Sequence, residues 1–212
     1  MLQYFGKVFY YCIDHSTMYR LLLYVFLFPA IGFAQTEFGI KAGLNISDIV
    51  MTNYVNPDVE SGLRLKPGLH AGFFVNGTLK ERIGLAAELL YSDKGVRANN
   101  TIHLHYIALP LLVQYQLREK IFAEIGPELG YMLSARSTLG DEGGTYNNKL
   151  DLALDAGVRF NTTKMVFDLR YCVGLFNVKE PFDGYNPPGV EKVKYQNRVL
   201  QLSVGYKLWI LE

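Results

Sequence analysis

The stretch MVFDLRYCVGL, residues 165–175, alternates apolar side chains with polar or small ones. Its odd positions hold Met, Phe, Leu, Tyr, Val and Leu, whereas Asp168, Arg170 and Cys172 lie between them. Successive side chains of a β-strand point to opposite faces, so this period of two predicts a strand with one continuous apolar face. The same pattern recurs on both sides, in residues 150–160 and 200–210.

Five weaker segments precede these three and bring the number of predicted strands to eight. They are residues 38–46, 67–77, 83–94, 102–117 and 121–133. The apolar phase shifts within the fourth segment, which predicts a β-bulge near Ile107 and Ala108. Pro110 and Pro127 each remove a hydrogen-bond donor from a predicted strand. No window beyond the N-terminal region has a long helical period, so we predict an all-β fold.

The links between these segments alternate in length. Residues 79–82, 118–120 and 161–164 are short links, residues 47–66, 134–149 and 177–196 are long ones rich in Gly, Asn, Asp and Pro, and 95–100 is intermediate. In an up-and-down antiparallel barrel, all the short links then fall at one end. This asymmetry is typical of outer-membrane barrels, which have short periplasmic turns and longer extracellular loops.

The N-terminal region has the features of a secretory signal peptide. An apolar run, 21–33, ends in small residues before a cleavage position ahead of Gln35. The alternative is an uncleaved membrane anchor, but a spanning helix needs about 20 apolar residues and this run is shorter. We expect residues 1–34 to be the signal peptide, with translation starting at Met18, and residues 35–212 to form the barrel domain.

The polar faces of the predicted strands carry charges of both signs. We call this set the lumen charge network: Lys41, Glu88, Glu124, Glu128, Asp151, Asp155, Arg159, Asp168, Arg170 and Lys207. A water-facing surface would hold more Lys and Glu and far less Gly, whereas small residues and paired charges can fill a narrow lumen. We therefore predict an eight-stranded antiparallel up-and-down transmembrane β-barrel in the cell outer membrane, with its lumen filled by side chains. A soluble lipocalin-like barrel is the alternative.

Composition and charge favour lipid over nucleic acid as a partner. The chain of 212 residues is 50% hydrophobic with a formal net charge of +1, whereas a phosphate-binding surface needs a clear excess of Lys and Arg. Six tyrosines lie on the predicted apolar faces, and we expect some of them to contribute to aromatic girdles at the membrane interfaces. They are Tyr91, Tyr106, Tyr115, Tyr131, Tyr171 and Tyr206.

No constellation of residues predicts an enzyme, and we expect no catalytic residue, cofactor or metal. Cys172 has no second cysteine in the barrel domain to pair with, and its strand position favours a small filler inside the lumen. His103 and His105 share one strand face at a spacing that suits a metal-ligand pair, but the sequence shows no evident third ligand.

The paired carboxylates on single strands are too far apart for glycosidase chemistry. Two residues four positions apart, as in the pairs Glu124 with Glu128 and Asp151 with Asp155, are separated by roughly 13 Å along a strand. We expect these carboxylates to pair across the lumen with the cations Arg159, Arg170 and Lys207.

The last predicted strand resembles the signal by which outer-membrane barrels are recognised for insertion. The residues that carry this resemblance are Ser203, Gly205, Leu208 and Ile210. The resemblance implies the barrel insertion machinery as a partner.

Four stretches resemble the PorT-like, porin-family outer-membrane β-barrel proteins of Bacteroidetes. They are GIKAGLNIS at 39–47, GLHAGFFV at 68–75, HYIALPLLVQY at 105–115 and AEIGPELGY at 123–131. The resemblance covers essentially the whole chain from about Thr36. It implies an eight-stranded barrel in the outer membrane of a Gram-negative bacterium, and some members of this family are linked to a secretion apparatus.

These observations predict a structural or interaction role, with the long loops meeting a protein partner outside the cell. The first alternative is a narrow pore or an accessory component of protein secretion. The second is a soluble lipocalin-like ligand binder.

Overall fold

The computed structural model describes residues 36–52, 64–97, 100–179 and 194–211. The predicted signal peptide, residues 1–34, lies outside the described residues. The strands are β1 (Thr36–Thr52), β2 (Lys66–Lys80), β3 (Ile83–Arg97), β4 (Thr101–Arg118), β5 (Ile121–Ser137), β6 (Gly140–Asp141), β7 (Leu150–Asn161), β8 (Met165–Gly174) and β9 (Lys194–Leu211). The described part contains no helix of sufficient length and apolarity to cross a membrane.

The antiparallel sheet closes on itself. Its strand order is β4-β3-β2-β1-β9-β8-β7-β5, and a further pairing of β4 with β5 completes the ring. The two-residue strand β6 pairs with the end of β5 and lies outside this ring. The ring therefore has eight strands in up-and-down order, which confirms the predicted fold class.

The three predicted short links lie at one end of the barrel and the three predicted long links lie at the other, whereas the link predicted to be intermediate has only three residues, 98–100. Residues 81–82, 119–120 and 162–164 connect strands at what we call the turn end. Residues 53–65, 98–100, 138–149 and 175–193 connect them at the loop end. Several strands extend beyond the predicted segments, because the apolar alternation marks the lipid-facing section whereas strand pairing continues past it. The pairing of Asp48 with Arg198, for example, lies outside the predicted segments.

The outer surface is apolar and the lumen is polar in its middle. In β8, Leu169 is 52% exposed, whereas Asp168 and Arg170 on either side of it are each 2% exposed. Exposed Leu, Ile, Val, Phe or Tyr side chains occur on every strand of the ring. A continuous outer surface of this kind is stable against hydrocarbon and not against water, so the lipocalin-like arrangement is wrong.

The predicted bulge near Ile107 and Ala108 is wrong, since both residues pair in register with β5. The register shifts between His105 and Tyr106 instead, where β5 contributes the extra residue Leu133. The side chains of β4 alternate without a break, so Tyr106 points into the lumen with its even-numbered neighbours and is fully buried, and its assignment to the apolar outer face is also wrong. The reason is that the lumen contains apolar side chains towards the loop end, which alternation alone assigns to the lipid face.

The other five predicted girdle tyrosines all lie on the outer surface, with exposed fractions between 42% and 48%. A second register shift, at Phe38 and Gly39 of β1, leaves Leu208 of β9 as an extra residue. It turns Trp209 outwards, where its side chain is 69% exposed. This end of β9 therefore presents consecutive apolar side chains to the surroundings.

Both prolines lie inside ring strands. The pairing of β3 with β4 is interrupted between Ala87 and Leu90, opposite Pro110, and the pairing of β4 with β5 is interrupted between Pro110 and Val113, opposite Pro127. Both gaps are expected where a backbone donor is missing. Pro127 pairs in register with Leu154 of β7. The cost of the prolines is therefore a local gap in the hydrogen-bond ladder and not the loss of a strand.

Candidate functional site

The middle of the lumen holds six charged side chains that we call the central cluster. They are Lys41, Glu88, Glu124, Arg159, Asp168 and Arg170, and all are at most 3% exposed. Glu88 lies at its centre and accepts hydrogen bonds from Lys41 Nζ at 2.5 Å, Arg159 Nη2 at 2.9 Å, and Arg170 at 2.9 and 3.0 Å. Three cations on three strands thus converge on one carboxylate.

Arg159 contacts four polar side chains, those of Asp168, Glu124, Glu88 and Asn76. Its Nε atom lies 2.6 Å from Asp168 Oδ1 and 2.8 Å from Glu124 Oε1. Its Nη1 atom donates a hydrogen bond of 2.6 Å to Asn76 Oδ1. A guanidinium with a fixed fork of donors can satisfy several acceptors at once, which a lysine cannot do with the same directionality. The cluster thereby links β1, β2, β3, β5, β7 and β8 across the lumen.

A second group, the upper cluster, lies nearer the loop end and comprises Lys94, Glu128, Asp151 and Asp155. Lys94 Nζ is 2.5 Å from Glu128 Oε1 and 4.0 Å from Asp151 Oδ2, and it lies 5.1 Å from the centre of the Tyr106 ring. Asp155 has Arg170 of the central cluster at 3.7 Å. The two clusters together hold six carboxylates and four cations, all buried.

The structure brings nine members of the predicted lumen charge network together in these clusters. Lys207 lies apart from them, at the turn end, where it pairs with Glu37 of the neighbouring strand at 2.7 Å and not with a carboxylate of the clusters. Sequence reasoning missed Lys94, although it has the same strand parity as Glu88 and could have been found from that. It also missed Glu37, which precedes the first predicted segment.

Ser203, His70 and Asn45 form a buried hydrogen-bond chain in the order of a catalytic triad, with a hydroxyl, an imidazole and an orienting amide. His70 Nε2 lies 2.8 Å from Ser203 Oγ, and His70 Nδ1 lies 2.8 Å from Asn45 Oδ1. All three residues are at most 3% exposed, so no substrate can reach the hydroxyl. The arrangement satisfies the polar atoms of a buried histidine, which is its structural role.

Two glycines make room for an aromatic ring inside the barrel. A Cβ atom at Gly39 would lie 2.3 Å from Phe74 Cζ, and one at Gly205 would lie 2.9 Å from Phe74 Cε1. The ring also lies below Arg159, 5.9 Å from its guanidinium carbon.

Of the residues resembling an insertion signal, Ser203 and Gly205 line the lumen, whereas Leu208 and Ile210 are exposed on the outer surface.

The loop end of the lumen is closed by an apolar plug. Its buried members are Ile49, Val96, Leu104, Tyr106, Met132, Ala135, Tyr146 and Val178. Tyr146 comes from the link after β6, and Val178 comes from the link after β8. Burial raises the pKa of Tyr146 to about 12. The opposite end holds an open cavity of about 400 Å³ whose lining includes Glu37, Asn76 and Lys207.

The histidine pair predicted from the sequence has a third polar neighbour. Asp93 of β3 pairs directly with His105 of β4 in the ladder, and its Oδ2 atom lies 3.1 Å from His103 Nδ1. Asp93 Oδ1 lies 3.8 Å from His105 Nδ1. We call Asp93, His103 and His105 the rim triad. The sequence shows no evident third ligand because Asp93 joins the pair through a strand register that the sequence does not specify.

Comparison with known proteins agrees with this architecture. The sequence profile of the family described as "outer membrane protein beta-barrel domain" matches residues 33–180. The crystal structure of Neisserial surface protein A is 12% identical, with 82% of this chain and 99% of that chain covered at a TM-score of 0.51. This likeness concerns the fold alone.

Two further solved structures show weaker similarity. Ail of Yersinia pestis is 14% identical over 84% of this chain and 100% of that chain, with a TM-score of 0.45. OprG of Pseudomonas aeruginosa is 13% identical over 84% and 97%, with a TM-score of 0.40. No curated protein matches the chain in sequence.

Proposed function

Because the chain belongs to the outer membrane protein beta-barrel domain family, we propose that it is a closed, non-catalytic barrel that anchors its long loops at the cell surface. The filled lumen carries this proposal. The central cluster occupies the middle of the barrel, and the apolar plug closes the loop end. We expect the interior formed by the described residues to block a continuous water path, whereas a porin lumen is water-filled.

The barrel contacts outer-membrane lipid through its apolar face, and the barrel insertion machinery is its partner during assembly. The finer family assignment, to the PorT-like proteins of Bacteroidetes, belongs to the same proposal. The four stretches that carry that resemblance fall on β1, β2, β4 and β5. These strands lie side by side in one half of the ring, together with β3.

We expect purified protein in planar lipid bilayers to show no stepwise conductance above that of protein-free membranes. The unheated protein should also migrate faster than the heated protein on a semi-native gel, since a closed barrel resists unfolding by detergent. A conducting porin serves as the positive control for reconstitution. Regular conductance steps from protein that shows the gel shift would contradict the closed barrel and favour the narrow pore.

The long loops are the proposed contact with a protein partner. Thr145 is exposed in the link after β6, and Glu119 is exposed at the opposite end of the barrel. A photo-crosslinking amino acid at Thr145 should give a discrete, saturable adduct in whole cells, whereas the same group at Glu119 should not give that adduct. Identical crosslinking from both positions, or none from Thr145, counts against a partner at the loop end.

A further inference from the structure

The rim triad lies on the outer surface of the barrel near the loop end. Asp93 follows Tyr91, one of the exposed tyrosines, on the same face of β3, and His105 pairs with Asp93 from β4. The side chains of His103, His105 and Asp93 are 41%, 23% and 15% exposed, respectively. Two imidazoles and a carboxylate therefore meet at a position that solutes outside the cell can reach.

The ligand atoms are close enough to share one ion. One donor atom from each residue can be chosen so that all three lie within 4.8 Å of one another. Two ligands of a tetrahedral zinc ion with bonds of about 2.1 Å are about 3.4 Å apart. The Oδ1 atom of Asp93 lies 3.3 Å from His103 Nδ1 and 3.8 Å from His105 Nδ1, which is close to this value. Seating an ion thus requires side-chain adjustments and no movement of the strands.

We propose that Asp93, His103 and His105 bind a divalent first-row transition-metal ion such as Zn²⁺. Imidazole nitrogens with one carboxylate suit these ions, whereas Ca²⁺ and Mg²⁺ prefer oxygen ligands. Three protein ligands leave at least one coordination position for water or for a group offered from outside the cell. This inference is independent of the closed lumen and of the loop partner proposed above.

Neighbouring side chains hold the rim triad in position. The hydroxyl of Tyr91 lies 2.7 Å from His105 Nδ1, and its ring stacks on the imidazole with centroids 5.9 Å apart. The two imidazoles stack at the same separation. The stacked rings restrict each other's orientation, but the Tyr91 hydroxyl must leave His105 Nδ1, or His105 must bind through Nε2, when an ion is seated.

Lys66 is the neighbour that opposes binding of a cation. Its buried Nζ atom lies 2.7 Å from Asp93 Oδ1, whereas Asp93 Oδ2 is hydrogen-bonded to His103 Nδ1 at 3.1 Å. The lysine orients the carboxylate, but its charge repels an incoming metal ion. Its removal should therefore strengthen metal binding, an effect that a merely structural triad would not show.

The test is isothermal titration of ZnCl₂ into protein that carries no polyhistidine tag, has been treated with a chelator and is held in detergent micelles. We expect one site per chain and no binding of Ca²⁺. The double substitution His103→Ala with His105→Ala should weaken Zn²⁺ binding by more than about 100-fold. Lys66→Met should strengthen it by about 3-fold to 10-fold. Thr101→Ala, on the same strand, is the matched control and should leave it unchanged.

All variants must show the heat-dependent gel shift of the native barrel, which separates loss of metal binding from loss of folding. Absence of a Zn²⁺ site in the native protein overturns the proposal. So does a site of unchanged affinity in the double histidine variant, because the ion is then bound elsewhere. Either result leaves the closed barrel unaffected, since that proposal is tested by conductance.

Discussion

Replacement of Arg159 by methionine should sharply lower the stability of the folded barrel. The guanidinium is fully buried and lies within 2.9 Å of carboxylate oxygens of Glu88, Glu124 and Asp168. Methionine fills similar space without the charge, so the carboxylates keep their burial and lose a shared partner. Breaking a buried ion pair from one side costs about 3–5 kcal/mol in free energy of unfolding. Urea titration of refolded protein in detergent, followed by the gel shift, measures this loss.

Two further variants make this result specific. Arg82→Met removes an arginine from an exposed position in the link 81–82, where substitutions change stability by no more than about 0.5 kcal/mol. Adding Glu88→Gln to Arg159→Met restores equal numbers of cations and carboxylates in the central cluster, two of each, and should recover part of the loss. If Arg159→Met and Arg82→Met unfold at the same urea concentration, the central cluster does not stabilise the barrel.

The alternation of side chains predicted the strands well because the membrane imposes it. A strand between hydrocarbon and a charged lumen, such as β8, must keep one face apolar along the whole section in lipid. Alternation does not distinguish the two faces of a strand where both are apolar. Tyr106, for example, lies inside the plug with its ring beneath Lys94, although its apolar character predicted the lipid face. Trp209 lies outside because of an extra residue in β9 that alternation cannot anticipate.

Pairing across the lumen was harder to predict than placement inside it. Strand parity alone assigns a residue such as Arg159 to the interior. Which charges then meet depends on the stagger between strands, and that stagger follows from hydrogen-bond register and closure of the ring. Lys207 thus has Glu37 as its partner. Asp93 meets His103 and His105 because of the register between β3 and β4, which the sequence does not show.

Replacement of Ile125 by arginine should strongly impair insertion of the barrel. Ile125 lies on the outer surface, 53% exposed, between the turn at 119–120 and Tyr131 on the same strand face. An arginine on the lipid face costs about 2–4 kcal/mol near the middle of a bilayer and about 0–1 kcal/mol near its surface. We expect a lower yield of barrel in carbonate-washed outer membranes and a lower urea midpoint for protein refolded into lipid vesicles.

Leu117→Arg is the matched control because Leu117 faces outwards in the same way, with 56% exposure, but lies beside that turn at the end of β4. A lipid-facing surface predicts a graded response, with a large effect at Ile125 and a small one at Leu117. Water around the barrel predicts no loss at either position, since an exposed arginine would then be harmless at both. If both variants keep the yield and urea midpoint of the native barrel, the assignment of the apolar face to lipid is wrong. A larger loss at Ile125 than at Leu117 supports it, because the cost of a lipid-facing arginine grows towards the middle of the bilayer.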